Sequence, residues 1–246
     1  MNSRRLLLSL LVAIPALSFA GPPFVTDDPE PVPLHHWEIY SAAAGAETKD
    51  GWSGAAPAFD INYGALHNVH LHALVQAAGS HPFHGNRNYG FGDLEVGAKI
   101  RFVDETARRP QMAIYPAVDF PTGDEHRDLG AGRAQAFLPL WIQKSGQKWS
   151  TYGGGGYWMN PGAGRKNWIY LGWTLQYNVA KHVMAGAELF HRTADTVDAS
   201  SSDGFNVGGA FDLSPEYHLL LSAGRDLNGP NRFTSYLALQ WTYPGE

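Results

Sequence analysis

The chain has no cysteine, few charged residues and, after its first 20 residues, no long apolar run. The lack of cysteine excludes the disulfide framework that stabilises many small exported domains. A formal net charge of −5, with only 17% charged residues, argues against a nucleic-acid partner. The lack of a second apolar run excludes a membrane-spanning helix after residue 20.

The first 20 residues have the features of a secretory signal peptide. Arg4 and Arg5 precede an apolar run, and Ser18-Phe19-Ala20 forms a small-x-small cleavage site. The run is short and ends at this site, which favours removal after Ala20 over a transmembrane anchor. Residues 21–34 are rich in proline and acidic residues, so no regular structure is expected there. This segment is expected either to hang loosely in the periplasm or to plug the interior of the domain formed by residues 35–246.

Alternation of apolar and polar residues is the dominant pattern of the remaining chain. In "NWIYLGWTLQYNV" (167–179), every second residue from Ile169 to Val179 is apolar or amphipathic, as in a strand with two different faces. Most such runs have about the length with which a tilted strand crosses a bilayer. Twelve runs are predicted: 35–45, 53–65, 68–79, 89–103, 110–122, 134–145, 148–159, 167–180, 182–193, 203–213, 217–226 and 231–243.

The connectors between the runs alternate in length. Those after odd-numbered runs are long and polar, whereas those after even-numbered runs are tight, except for the charged "DETARRP" (104–110). Outer-membrane barrels have long extracellular loops and short periplasmic turns in this order. With an even number of strands, both chain termini are then expected in the periplasm.

The second face of each run is too polar for the core of a soluble protein. The pattern therefore predicts an all-β fold, a closed antiparallel transmembrane β-barrel of about twelve strands, with its apolar face towards lipid. A periplasmic barrel or sandwich is the alternative. Aromatic residues of the apolar face collect at the short-turn side, as in an interfacial girdle: Trp37, Tyr63, Phe102, Tyr177, Tyr217, Trp241 and Tyr243.

The inward register carries polar and ionisable residues of both signs. They are interpreted either as a charge network that braces the barrel or as the lining of a solute path, and the two readings are compatible. His70 and His72 share one face, but no third metal ligand is evident and no metal is expected. The candidates are Glu38, Asp60, Asn62, His70, His72, Glu95, Lys99, Arg101, Asp119, Gln143, Gln176, Glu188, Arg192, Asp212 and Gln240.

Two segments fit the strand pattern less well. "YGGGGYW" (152–158) has four consecutive glycines, and its register is ambiguous. Pro116, Pro121 and Pro139 fall on neighbouring predicted strands, where a proline cannot donate to the ladder. The prolines predict either a bulge or a break in the wall between strands five and six, through which an apolar solute could leave sideways.

Several segments together resemble one family. "GPPFVTDDPEPVPLHHWEIY", "FGDLEVGAKIRF", "IYPAVDFPTGD", "FLPLWIQK" and "YGGGGYWMNPG" are similar to the outer-membrane proteins of a phenol meta-pathway degradation family, whose members are often called transporters. The resemblance covers nearly the whole mature chain. It implies a barrel in a Gram-negative outer membrane and an association with uptake of hydrophobic or aromatic compounds, with no catalytic residues.

The function predicted from these features is passive uptake of small hydrophobic or aromatic solutes. The expected partners are outer-membrane lipids, the solute and the barrel-assembly machinery, with no cofactor. An outer-membrane lipid-modifying hydrolase and a structural or surface-interaction barrel are the alternatives. For a hydrolase, the nearest match is "HRT" (191–193), which lacks an evident orienting acid on its face.

Overall fold

A computed structural model of the chain describes residues 22–244, so the predicted signal peptide lies outside the described residues. Among these residues no helix has the length and apolarity needed to cross a membrane. The predicted runs correspond to twelve barrel strands: β1 Trp37–Glu47, β2 Gly51–Leu66, β3 Val69–Pro82, β4 in two parts (Asn88–Phe91 and Leu94–Val103), β5 in two parts (Gln111–Ile114 and Ala117–Phe120), β6 Gln135–Ser145, β7 Trp149–Met159, β8 Trp168–Ala180, β9 Val183–Arg192, β10 Ser202–Asp212, β11 Tyr217–Asn228 and β12 Phe233–Tyr243.

The strands form a closed antiparallel barrel. Each strand pairs with its neighbours in sequence, and β1 pairs with β12 along its whole length, from Trp37–Tyr243 to Glu47–Phe233. Closure satisfies the backbone groups of a wall that faces hydrocarbon. The first part of β4, Asn88–Phe91 near the loop end, pairs with β3 alone.

The connectors define two ends of the barrel. At what we call the loop end lie residues 48–50, 83–87, 121–134, 160–167, 193–201 and 229–232; at the turn end lie 67–68, 104–110, 146–148, 181–182 and 213–216. The first connector is shorter than predicted. β1 and β2 pair as far as Glu47 and Trp52, and the turn closes with a hydrogen bond from the Thr48 amide to the Gly51 carbonyl (2.8 Å).

The apolar face points outwards, as predicted. Leu171 and Leu175 of β8 are 51% and 56% exposed, whereas Thr174 between them is fully buried in the interior. Aromatic residues of the outer face also lie at the turn end, where Trp37 packs on Tyr63 with ring centroids 4.5 Å apart. Lipid therefore replaces the second layer that a soluble sheet would need.

The prolines of β5 and β6 do not open the wall. β5 is interrupted at residues 115–116, but both of its parts pair with β6 in the same register. The Tyr115 amide donates to the Pro139 carbonyl (3.3 Å), and the Ala98 amide of β4 donates to the Pro116 carbonyl (3.1 Å). Pro139 therefore removes a bond from the β5–β6 seam and Pro116 removes one from the β4–β5 seam, while Pro121 lies just beyond β5.

The predicted wall break between β5 and β6 is therefore wrong for this structure. The prolines suggested it because they lie on adjacent strands, but each deletes a donor from a different seam. One missing ladder bond per seam is compatible with continuous pairing on either side.

The glycines of β7 make room for large side chains of the neighbouring strands. Gly154 and Gly156 belong to the inward register, and Gly153 and Gly155 to the outward one. A Cβ at Gly156 would lie 2.3 Å from the ring of Phe137 inside the barrel, and a Cβ at Gly153 would lie 2.4 Å from the Trp173 ring outside. Gly153 and Gly156 thus leave room for aromatic rings on the outer and inner surfaces of the wall.

Candidate functional site

The predicted lumen residues occupy the inward register and meet in connected polar groups. Glu38 accepts hydrogen bonds from the Tyr40 hydroxyl (2.7 Å) and the Gln240 amide (2.8 Å). Gln176 bonds to Ser150 and to the Tyr152 hydroxyl, and Glu188 on the adjacent strand β9 is 1% exposed. The interior near mid-height is therefore packed.

His72 lies between acidic side chains of the two neighbouring strands. Its Nδ1 atom is 3.1 Å from Asp60 and 3.0 Å from the Asn62 side-chain oxygen, and its Nε2 atom is 3.0 Å from Glu95. Glu95 pairs across the ladder with Asp119. A histidine held between two carboxylates braces three adjacent strands, β2, β3 and β4.

His70 has a different role from His72. Its Nδ1 atom accepts a hydrogen bond from the Val32 amide (3.0 Å), so it binds the chain that precedes β1. Within residues 22–244, no group of three or more His, Cys, Asp or Glu side chains is arranged to hold a metal ion. The two histidines thus belong to separate hydrogen-bond groups.

Residues 22–34, which we call the lumen segment, lie inside the barrel. Lys99 of β4 donates to Asp27 (3.0 Å) and lies 3.8 Å from Asp28. Arg101 donates to Glu30 (2.9 Å). Burial raises the pKa of the Asp28 carboxyl well above its usual range, although the Lys99 ammonium acts in the opposite direction.

The other part of the lumen segment is held by the opposite wall. Glu188 of β9 accepts hydrogen bonds from the amides of Val25 (3.0 Å) and Thr26 (2.8 Å). The Ser222 hydroxyl of β11 donates to the Pro23 carbonyl (2.6 Å). The lumen segment therefore crosses the interior from the β2–β5 side to the β8–β11 side.

Inward glycines provide the space for this segment. A Cβ on Gly172 would lie 2.0 Å from the Thr26 hydroxyl, and one on Gly186 would lie 3.0 Å from the Phe24 ring. Both glycines follow the inward register of β8 and β9. The barrel wall is therefore shaped to hold the segment, as well as charged to bind it.

The remaining predicted residues lie near the two ends. Gln143 is buried and donates to Ser145 (3.2 Å), and Asp212 pairs with His218 (2.8 Å), both near the turn end. A polar cavity of ≈ 420 Å³ at the same end is lined by Glu30, His67, Arg101, Asp104, Glu105, Gln111, Gln143 and Ser145. Towards the loop end, Arg192 lies 3.6 Å from Asp226 and its guanidinium is 5.7 Å from the Phe190 ring centroid.

An aromatic wall lines the interior between the lumen segment and the loop end. Phe137, Trp158 and Trp168 lie directly opposite one another on β6, β7 and β8. The first two rings stack at 4.6 Å with 13° between their planes, and the two indoles stack at 5.3 Å with 10°. A deeper row consists of Trp141, Tyr170 and Phe190, all buried.

The aromatic wall was missed by the prediction of lumen residues, which considered only polar ones. Trp168 and Tyr170 stand on the same register as Gln176, so the alternation of β8 already placed them inside. For Trp158 the signal was hidden, because the glycine run before it left the register of β7 ambiguous. The deeper row meets the lumen segment, since the Thr26 and Tyr170 hydroxyls are 3.0 Å apart.

His191 has an acidic partner that the sequence did not reveal. Its Nδ1 atom is 2.7 Å from Asp203 on β10, across one strand pair of the outer face. Thr193 instead accepts a hydrogen bond from the Ile169 amide (2.8 Å). Among the described residues no hydroxyl bonds to His191, so a nucleophile–histidine–acid arrangement is not formed here.

A closed antiparallel barrel with an apolar outer face and a polar, charged interior is the architecture of an outer-membrane β-barrel. The chain belongs to the family described as "Putative MetA-pathway of phenol degradation", whose model matches residues 28–242. No curated protein sequence matches the chain.

Solved structures with the same fold include outer-membrane channels. The structure of the COG4313 outer membrane channel from Pseudomonas putida F1 aligns with a TM-score of 0.72 and 17% identity, over 88% of this chain and 98% of that one. The KdgM porin in complex with disordered oligogalacturonate aligns with a TM-score of 0.56 and 10% identity, over 85% of this chain and 99% of that one. The NanC porin aligns with a TM-score of 0.54 and 6% identity, over 85% and 100% of the two chains.

Proposed function

We propose that the protein is an outer-membrane channel for passive uptake of small aromatic or hydrophobic solutes. The aromatic wall carries this proposal, because stacked rings in the interior offer apolar contact to a planar solute without closing around it. The family description, which refers to phenol degradation, points to the same class of compounds.

In the proposed orientation the loop end faces the exterior and both chain termini face the periplasm. This follows the general rule that barrels have long extracellular loops and short periplasmic turns. It requires export, for which the N-terminal 20 residues have the features of a signal peptide. A solute would then meet the aromatic wall before the lumen segment.

The lumen segment acts as the main obstruction of this path. It is bound to both sides of the interior through Lys99 and Glu188. A barrel of about twelve strands is wider than one filled by its own side chains and narrower than an open porin, so a short internal segment can block it. Charges of both signs lie around the segment, which favours bracing of the barrel over selection of ions by charge.

Uptake into proteoliposomes tests the proposal. Trp158→Ala and Trp168→Ala should lower the uptake rate of phenol or toluene by about three- to tenfold, the effect of losing one or two aromatic contacts. Aliphatic solutes of equal size should be affected less. Ile169→Ala, on the outer face beside Trp168, is the matched control and should not change uptake.

Two outcomes would argue against the channel. If proteoliposomes took up phenol no faster than empty liposomes, the barrel would have a structural or interaction role. If both tryptophan variants transported aromatic and aliphatic solutes like the unaltered protein, the aromatic wall would have no part in the path.

A further inference from the structure

A row of residues with small side chains crosses the outer surface of the barrel near the loop end. Ser235, Gly45, Gly54 and Gly79 lie opposite one another on β12, β1, β2 and β3, and Tyr89 of β4 ends the row. With about 4.8 Å between strands, the four small residues span about 14 Å across the wall.

Larger side chains form the walls around this row. Trp52 and His81 pair with each other two residues closer to the loop end than Gly54 and Gly79, on the same face of the wall. The Tyr89 hydroxyl donates to the Ala56 carbonyl (2.7 Å) and limits the opposite side. Ala56 is part of a bulge in β2, where residues 56–57 face a single residue on each neighbouring strand. The result is an open groove of ≈ 310 Å³ on the outer face.

Arg87 is the charged side chain among the residues that line the groove, and it is exposed in connector 83–87. His81 lies beside it, and no acidic residue belongs to the lining. The rest of the lining is apolar or consists of glycine, alanine, serine and asparagine residues. An apolar floor with a guanidinium at its end is complementary to a hydrocarbon chain attached to a phosphate group.

We propose that this groove binds an acyl chain of a phosphorylated lipid of the outer leaflet, with the phosphate at Arg87. The proposal rests on the orientation given above, in which the loop end is extracellular. The glycine floor lets the chain lie directly on the backbone, so the lipid stays on the barrel wall longer than lipids that contact protruding leucines.

The glycines of the floor differ in how they tolerate a side chain. A Cβ on Gly45 or Gly79 would have no contact shorter than 3.5 Å, whereas one on Gly54 would lie 2.2 Å from the Ala44 carbonyl oxygen. Gly45→Leu and Gly79→Leu can therefore fill the groove without moving the backbone. Gly54 is unsuitable because its substitution would disturb the pairing of β1 and β2.

Native mass spectrometry of the purified barrel with added lipid A measures this binding. One lipid A molecule should remain on the unaltered protein, in preference to phosphatidylethanolamine. Gly45→Leu and Gly79→Leu should each weaken its retention by about tenfold, corresponding to lost contact with about two methylene groups. Arg87→Gln, an exposed loop variant that leaves the wall intact, should also weaken it. Ala187→Leu adds the same bulk to the outer face of β9, away from the groove, and should have no effect.

Equal lipid A retention by all variants, or the same loss in Ala187→Leu, would overturn the proposal. So would a dimer of the barrel that disappears in Gly79→Leu, because a second copy would then occupy the groove. Heat-modifiable migration in electrophoresis verifies that each variant is folded. Labelling of tags on whole cells tests the orientation of the barrel independently of lipid binding. A failure of the proposed orientation can therefore be distinguished from a groove that binds no lipid.

Discussion

Replacement of Lys99 by methionine should loosen the lumen segment from the barrel wall. The Lys99 ammonium is 3.0 Å from Asp27 and 3.8 Å from Asp28, and the side chains of Lys99 and Asp28 are 5% and 0% exposed. Methionine keeps the length and the apolar stem of lysine but removes its charge. The change therefore leaves the Asp27 and Asp28 carboxyl groups in the interior without their cationic partner.

The expected magnitude follows from the burial of this ion pair. Breaking a buried pair by removing one partner costs about 3–5 kcal/mol. Here the cost falls on the docked state, because the undocked segment can expose Asp27 and Asp28 to water. The ratio of docked to undocked segment should fall by about two to four orders of magnitude. Contacts of Glu188 and Ser222 with the segment remain, so we expect more frequent opening and not permanent release.

Single-channel conductance in planar bilayers measures this effect. Lys99→Met should show longer high-conductance periods, and deletion of residues 22–34 should give the upper limit. Lys144→Met is the matched control, since Lys144 pairs with Glu105 (2.7 Å) near the turn end and does not contact the segment. If deletion raised the conductance but Lys99→Met behaved like the unaltered protein, the ion pair would not be what holds the segment.

Three further predictions concern the faces, the orientation and the lumen. Leu171→Arg should lower the free energy of unfolding by about 2–4 kcal/mol in a refolding titration if it lies near the bilayer midplane, whereas Ala44→Arg, on an exposed inward site, should cost much less. Equal costs would mean that the faces are reversed. A tag near Ser201 should be labelled on intact cells and one next to Gly146 only after the outer membrane is opened; the reverse pattern would invert the barrel. Gly172→Val should raise conductance without unfolding the barrel, because its side chain needs the space of the lumen segment, and unchanged conductance would show that the segment can rearrange around it.

The strands and their faces could be predicted because alternation with a period of two is visible in the sequence of a single strand, whichever strands it pairs with. The alternation in β8 identifies the outward Leu171 as surely as the structure does. The ends of the first connector could not be predicted. Glu47, just before Thr48, pairs with β2, although its polarity suggested a loop. The prolines were misread for a related reason. Which neighbouring strand loses a hydrogen bond to a proline depends on the register of the pairing, and the sequence alone does not give that register.

The predicted lumen residues lie on the inward register, but the prediction left out the aromatic residues and the contacts of the lumen segment. Fifteen inward residues were expected to face a wetted lumen, but Gln176 and Glu188 are 2% and 1% exposed because side chains of adjacent strands and the lumen segment bond to them. The proline-rich composition of this segment suggested only a lack of regular structure. Its docking depends on Lys99, Glu188 and two inward glycines, which lie far apart in the sequence.

Anomalous scattering from crystals soaked in a bromophenol would show where an aromatic solute binds in the barrel. We expect a bromine peak inside the barrel, in contact with the row of Phe137, Trp158 and Trp168 and on the loop side of the lumen segment. The peak should be lost in Trp158→Ala crystals and kept in Ile169→Ala crystals. Bromine found only on the outer face, with an empty interior, would contradict an aromatic path through the lumen.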